Sequence, residues 1–308
     1  MKNKKIKISI FIPTKNAGKE FEKTLNQISI QDNKSFEVII VDSSPTNQTI
    51  KITEKFKDKF PLKIYKIPPE EFGHGKTRNL ALKYSSKSSE FIVFLTQDAI
   101  PANNRWLSNL LSNFKDAKIA GVFSRQIPKK NARITEVFFY KENFPNKKII
   151  RPSKNYNIFP YNIFFSNVSS AIRKDLLEKY PFDETLIMSE DQKWAKTIIQ
   201  KGYKTIYEPK SIVIHSHNYT LKQTFQRYFD SAFSLNEIQK GNFDNFTKKG
   251  ADYMIREFQY VLKKKPFFIP YLSLYNLSKI LGTTLGMHEH KLPLFLKEKF
   301  SLHSYFWK

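Results

Sequence analysis

Asp98 stands just beyond the apolar run Phe91-Ile92-Val93-Phe94-Leu95, separated from it by Thr96-Gln97. A carboxylate at the end of a buried strand is partly desolvated and calls for a cationic partner. A divalent cation is such a partner, and carboxylate oxygens suit Mg²⁺ or Mn²⁺. The structural alternative is a cap for the helix near Arg105, which the Ile100-Pro101 step makes less direct. His215 and His217 flank Ser216. On a strand, positions two apart face one side, so both imidazoles could ligate one cation, although a lone histidine is more often structural. Glu190 and Asp191 open a helix that carries Trp194, Ala195, Ile198 and Ile199 on one face, with Gly202 past its end. Either acid could act as a general base toward a hydroxyl group. Equally, Ser189 and Gln192 fit a capping box, and acids in a first turn complement the helix dipole.

Phe72-Gly73-His74-Gly75-Lys76-Thr77-Arg78-Asn79 precedes another helix. Glycines beside His74 permit close backbone approach, and a helix N-terminus attracts anions. Lys76 and Arg78 add cationic donors suited to a diphosphate. The Lys-Thr pair lacks the glycine spacing of a P-loop. No Ser-His-Asp order and no zincin motif occurs.

The elements that must hold these residues alternate. Strand patterns at Ile8 to Pro13, Phe36 to Val41, Leu62 to Ile67 and Phe91 to Leu95 are separated by helical patterns at Phe21 to Ile30, Ile50 to Phe60 and Thr77 to Tyr84. A further helical pattern covers Trp106 to Phe114. Continuous apolar runs between helices predict an α/β fold with a mostly parallel sheet covered on both faces. Ligands of such sheets bind outside the carboxyl ends of the strands. Those ends carry Pro13-Thr14-Lys15-Asn16, Asp42-Ser43-Ser44, Thr96-Gln97-Asp98 and His215-Ser216-His217. Each alone reads as a turn; together they favour one shared site.

Pro128 to Tyr161 loses the rhythm and reads as a long excursion that could cover the site. Regular patterns return at Ile163 to Ile172, at the Glu190 helix and at Ile212 to Ile214. From Leu221 onward the pattern is helical and basic, so the expected division is residues 1–220 and a helical region 221–308. The 308 residues, 40% hydrophobic, can bury a sizeable core. The absence of cysteine excludes disulfides and thiolate chemistry. The N-terminal apolar run is too short and too alternating for a signal peptide, which suggests a cytoplasmic protein. A net charge of +24 attracts polyanions, an anionic membrane face or phosphate-bearing substrates, or reflects a lysine-rich composition. No ordered nucleic-acid-binding module accompanies it, so nucleic acid is not an expected partner. Phe267 to Gly286 is interrupted by polar residues and reads as an amphipathic helix, not a transmembrane span.

The segments Ile8 to Asn16 and Phe36 to Ser44 resemble the start of family 2 inverting glycosyltransferases of the GT-A fold. With Gly73 to Asn79, Leu95 to Ala99, Phe165 to Ala171, Glu190 to Gln192 and His215 to Tyr219, the chain is similar to their bacterial rhamnosyltransferase branch. The resemblance implies that Pro13, Thr14, Asn16, Asp42 and Ser44 hold the nucleoside. It implies nucleotide-sugar contacts for His74, Lys76, Arg78, Asn79, Gln97 and Asp98. Asp98 would take the place of the acidic metal-binding motif, with His215 and then His217 as further ligands of Mg²⁺ or Mn²⁺. The family's acidic motif usually has two aspartates; the matching segment here is Gln97-Asp98-Ala99. Asp191 would be the general base, with Glu190 beside it supporting the acceptor or the base. The implied donor is dTDP-L-rhamnose, and the implied acceptor a saccharide, lipid-linked or not, of a surface polysaccharide. The basic, aromatic C-terminal helices suit peripheral work at the inner face of the membrane.

Overall fold

The computed structural model describes residues 7–152, 160–239 and 246–307. The chain begins with β1 (Ile8–Thr14), α1 (Lys19–Ser29), β2 (Phe36–Asp42), α2 (Gln48–Glu54), β3 (Leu62–Lys66), α3 (His74–Tyr84) and β4 (Phe91–Leu95). Next come β5 (Ile100–Pro101), α4 (Trp106–Leu111), β6 (Ile119–Ile127), α5 (Ile134–Asn143) and β7 (Ile149–Arg151). Then follow β8 (Ser169–Arg173), α6 (Lys174–Lys179), α7 (Glu190–Gln200) and β9 (Lys204–Ile214). Helices α8 (Leu221–Gln239), α9 (Phe246–Lys264), α10 (Ile269–Met287) and α11 (Leu294–Phe300) complete the chain.

The strands form one sheet in the order β3-β2-β1-β4-β8-β6-β9-β5, with β7 on β9. β1, β2, β3, β4, β6 and β9 share one direction; β5, β7 and β8 oppose it. The sheet is therefore mostly parallel. β1, β2 and β4 are mostly apolar because alternate residues feed two cores. Ile10, Ile12, Val38, Ile40 and Val93 pack on one face. Phe11, Ile39, Val41, Ile92 and Phe94 pack on the other.

Five readings change. Pro128 to Tyr161 is not a structureless excursion, since it contains α5 and β7; its residues 153–159 lie outside the described residues. β6 carries no expected strand signal because Gly121 interrupts it. That glycine makes room for rings, since a Cβ there would lie 3.0 Å from Phe165 and Trp194. The pattern from Ile163 yields a strand only from Ser169, and the helix expected over Ile50 to Phe60 ends at Glu54. Ser189 does not cap α7 with its side chain; it adopts a left-handed conformation, φ 64°.

The Phe267 to Gly286 stretch forms most of α10, which buries Leu272, Tyr275, Lys279, Gly282 and Gly286. A Cβ on Gly282 or Gly286 would lie 2.4 Å or 2.2 Å from the carbonyl oxygens of Phe225 and Phe229 on α8. Glycine is what lets these helices touch. Among the described residues, no helix is long and apolar enough to cross a membrane.

Candidate active site

The loop after β4 and the end of β9 bring Asp98, His215 and His217 together. His215 Nε2 and His217 Nε2 lie 3.6 Å and 3.4 Å from Asp98 Oδ2, and 3.1 Å from each other. Ligands at adjacent positions around one cation at ~2.1 Å lie about 3 Å apart. These three atoms could thus occupy one face of a coordination sphere. Burial, against the pull of Asp98, lowers the His215 pKa to about 3, and burial also lowers that of His217. Neutral imidazoles are what a metal requires. Burial opposes the charge of Asp98, but His215, His217 and Lys129 outweigh it and hold its carboxyl below its ordinary value. Gln126 Oε1 lies 3.1 Å from His215 Nδ1, where it accepts that N–H and leaves Nε2 aimed at Asp98.

Across a cavity of about 430 Å³ from this triad, α7 begins with Glu190 and Asp191. Asp191 Oδ2 accepts the Asn167 backbone N–H at 2.9 Å, and Oδ1 accepts that of Gln192 at 2.8 Å. Burial, and then the neighbouring Glu190 charge, raise the Asp191 pKa to about 7. Glu190 pairs with Arg78 Nη1 at 3.2 Å and accepts from Asn167 Nδ2 at 3.2 Å. Glu190 is thus ion-paired and fixed, while Asp191 is poised between its charge states near neutral pH. A group of that kind is suited to taking a proton.

The ends of β1 and β2 form a second polar cluster. Asp42 Oδ1 accepts from Thr14 at 2.9 Å, Ser44 at 2.6 Å and Thr49 at 2.9 Å. The Asn16 backbone N–H donates to Ser44 Oγ at 2.7 Å. Asp42 is fully buried, yet its Oδ2 has no partner among the described residues. Such an oxygen can receive an N–H from a ligand. Pro13 sits beside Val41 in the same register.

Not every expected residue joins the site. Lys76 is exposed on α3 and does not line the cavity. Asn79 is occupied by the loop before α7, bonding Phe182 through N–H and carbonyl and donating to Glu184. Gly75 serves this same packing, because a Cβ there would lie 2.1 Å from the Asp183 carbonyl oxygen. Gln97 has its amide bound at both ends by the Lys15 backbone, at 2.9 and 3.1 Å, and joins the two polar clusters as a clamp. His74 and Arg78 do line the cavity. Gln126 on β6, Glu136 on α5, Arg227 on α8 and His303 in the C-terminal tail join them unforeseen. They lie far apart in the sequence, where spacing carries no signal; Asn167 takes part through its bonds to Glu190 and Asp191.

Residues 9–181 match the family model described as Glycosyl transferase family 2. The chain is 34% identical to the O-antigen chain rhamnosyltransferase RfbN of Salmonella typhimurium, over 98% of this chain and 96% of that protein. It is 37% identical to the O-antigen chain rhamnosyltransferase WbaN of Salmonella anatum, over 97% and 95%. In fold it is similar to a mannosyltransferase of Pyrobaculum calidifontis solved with GDP-Man and Mn²⁺. That likeness has a TM-score of 0.64 at 16% identity, covering 94% of this chain and 89% of that one. It is also similar to TarS of S. aureus solved with UDP-GlcNAc, with a TM-score of 0.51 at 18% identity, covering 92% and 91%.

Proposed function

The chain belongs to glycosyl transferase family 2, and from that premise we propose that it transfers L-rhamnose from dTDP-L-rhamnose, with inversion, to a saccharide acceptor of a bacterial surface polysaccharide. The family membership makes it a glycosyltransferase of the GT-A type. The near-full-length identity to two O-antigen rhamnosyltransferases carries the choice of sugar and pathway class.

In this reading Asp191 removes the proton of the acceptor hydroxyl as its oxygen bonds the anomeric carbon. The bond from that carbon to the phosphate oxygen breaks on the opposite face, and the diphosphate leaves with the electron pair. Glu190, Asn167 and Arg78 hold Asp191 in place. Asp98, His215 and His217 would hold Mg²⁺ or Mn²⁺, which when bound neutralises the diphosphate. Two imidazoles beside one carboxylate favour Mn²⁺ over Mg²⁺. The Asp42 cluster, with its unpaired buried oxygen, supports nucleoside binding there.

A specific surface supports work at an anionic membrane, the setting of a lipid-linked acceptor. Leu274, Leu277, Ile280 and Leu281 form a stripe on α10 facing away from α8, each half-exposed and with no charge among them. Phe267 is 99% exposed and follows Lys263, Lys264 and Lys265. Apolar side chains next to lysines suit the interface of an anionic bilayer. Incubation with dTDP-L-rhamnose, UDP-sugars and GDP-sugars, followed by mass analysis of the acceptor, tests the transfer. Turnover of a UDP- or GDP-sugar but not of dTDP-L-rhamnose overturns the donor.

A further inference from the structure

Arg227 lies on α8 and lines the cavity, half-buried, without a hydrogen bond or ion pair to any described residue. Glu136, an acid of the same lining, feels the Arg227 charge but makes no ion pair with it. A guanidinium in a cavity without a counter-ion is costly unless a ligand supplies the charge. Further donors stand unused around it. Thr224, one helical turn earlier on the same face, is buried with its hydroxyl unpaired among the described residues. His74 Nδ1 accepts from Arg78 Nη1 at 3.2 Å, which assigns the ring proton to Nε2. That Nε2 is buried and unpaired, as are Arg78 Nε and His303 Nε2. His303 comes from the C-terminal tail, and its ring packs edge-on against His74 with centroids 5.0 Å apart.

The cavity that Arg227 lines is bordered both by Asp98, His215 and His217 and by Glu190 and Asp191, with an interval between the two groups. In a displacement, that interval is where the bond between sugar and phosphate must break. The only strong charges a nucleotide sugar offers are its phosphates, and guanidinium groups pair with phosphate in bidentate fashion.

We propose that Arg227, with Thr224 and the Nε2–H of His74, binds the diphosphate of the nucleotide sugar in the cavity it shares with Asp98. This rests on the glycosyltransferase reading above and names a residue of the C-terminal helices as part of the donor site. As the bond from the anomeric carbon to the phosphate oxygen breaks, the electron pair moves to that oxygen and Arg227 balances the new charge. The Asp98 side carries one half of the diphosphate charge and Arg227 the other.

Calorimetry on the full chain with Mn²⁺, using dTDP and dTMP as probes, tests this. Arg227→Gln is expected to weaken dTDP binding by about tenfold to a hundredfold while leaving dTMP nearly unchanged. Arg227→Lys is expected to recover part of the loss, and an unchanged melting temperature for that variant certifies the fold. Equal dTDP affinity in wild type and Arg227→Gln overturns the assignment. So does a loss confined to a short polyprenyl diphosphate sugar used as acceptor, which would move the anion site to the acceptor. If the wild type binds none of dTDP, UDP and GDP, the glycosyltransferase reading itself fails, a result distinct from either.

Discussion

The backbone N–H of Asn167 donates to Asp191 Oδ2 over 2.9 Å and fixes the carboxylate at the start of α7. The side chain of the same asparagine holds Glu190. One residue thereby sets the position of both acids, so a change at Asp191 can be made without dismantling the site. Asp191→Asn keeps the shape and removes the basic oxygen. Transfer is expected to fall by about 10²- to 10⁴-fold with nucleotide affinity unchanged. Initial rates and calorimetry on the same preparation check this. An unchanged rate removes Asp191 as the base.

The pH profile follows from the direction of the Asp191 shift. Burial, and then Glu190, raise its pKa to about 7. The ionised form is the base, so kcat/KM is expected to be low in acid, to rise through about pH 7 and to level off above it. Glu190→Gln removes the neighbouring negative charge that favours protonation. The rise should then move to lower pH, because the Arg78 charge, left without its partner, also lowers the Asp191 pKa. A rise that stays in place, or moves upward, contradicts the role given to Glu190.

The first four strands, the helices between them and the carboxyl-end rim were legible because β1, β2 and β4, buried between two layers, carry near-continuous apolar runs. The clustering of Asp98 with His215 and His217 was legible from strand ends sharing one rim; the period of two did not apply, because β9 ends at Ile214 and both histidines follow it. Less could be read where one residue serves packing. Gly121 hid a central strand, Gly75 looked like a phosphate turn, and Asn79 looked like a ligand contact. Ser189 suggested a side-chain cap, but its left-handed backbone decided otherwise. Arg227 and His303 could not be found at all, because only helix packing and the C-terminal turn bring them to the cavity.

The triad predicts a metal requirement with a specific second partner. Gln126 accepts from His215 Nδ1 and so keeps Nε2 free for a cation. Gln126→Leu is expected to weaken Mn²⁺ binding by about 10- to 100-fold, the usual effect of removing such a partner. His215→Ala should weaken it further. Chelator is expected to abolish transfer, with Mn²⁺ restoring it better than Mg²⁺. Paramagnetic titration of free Mn²⁺ in the presence of dTDP reads the affinity directly. Full transfer after exhaustive chelation removes the metal from the reaction and leaves the two histidines a structural role.

Membrane docking, if it uses α10 and the Lys263–Lys265 segment, has two separable parts. The lysines attract from a distance, and this part weakens as salt shortens the screening length to about 8 Å at 0.15 M. Phe267 and the leucine stripe insert at contact, and this part resists salt. Vesicles of phosphatidylcholine with phosphatidylserine should therefore bind the protein, and phosphatidylcholine alone should not. Phe267→Ser combined with Leu277→Ser is expected to reduce binding several-fold without changing the melting temperature, because these side chains make few internal contacts. Co-sedimentation measures both. A protein that ignores anionic vesicles and instead forms a dimer, lost in the same double variant, assigns the stripe to a second copy of the chain.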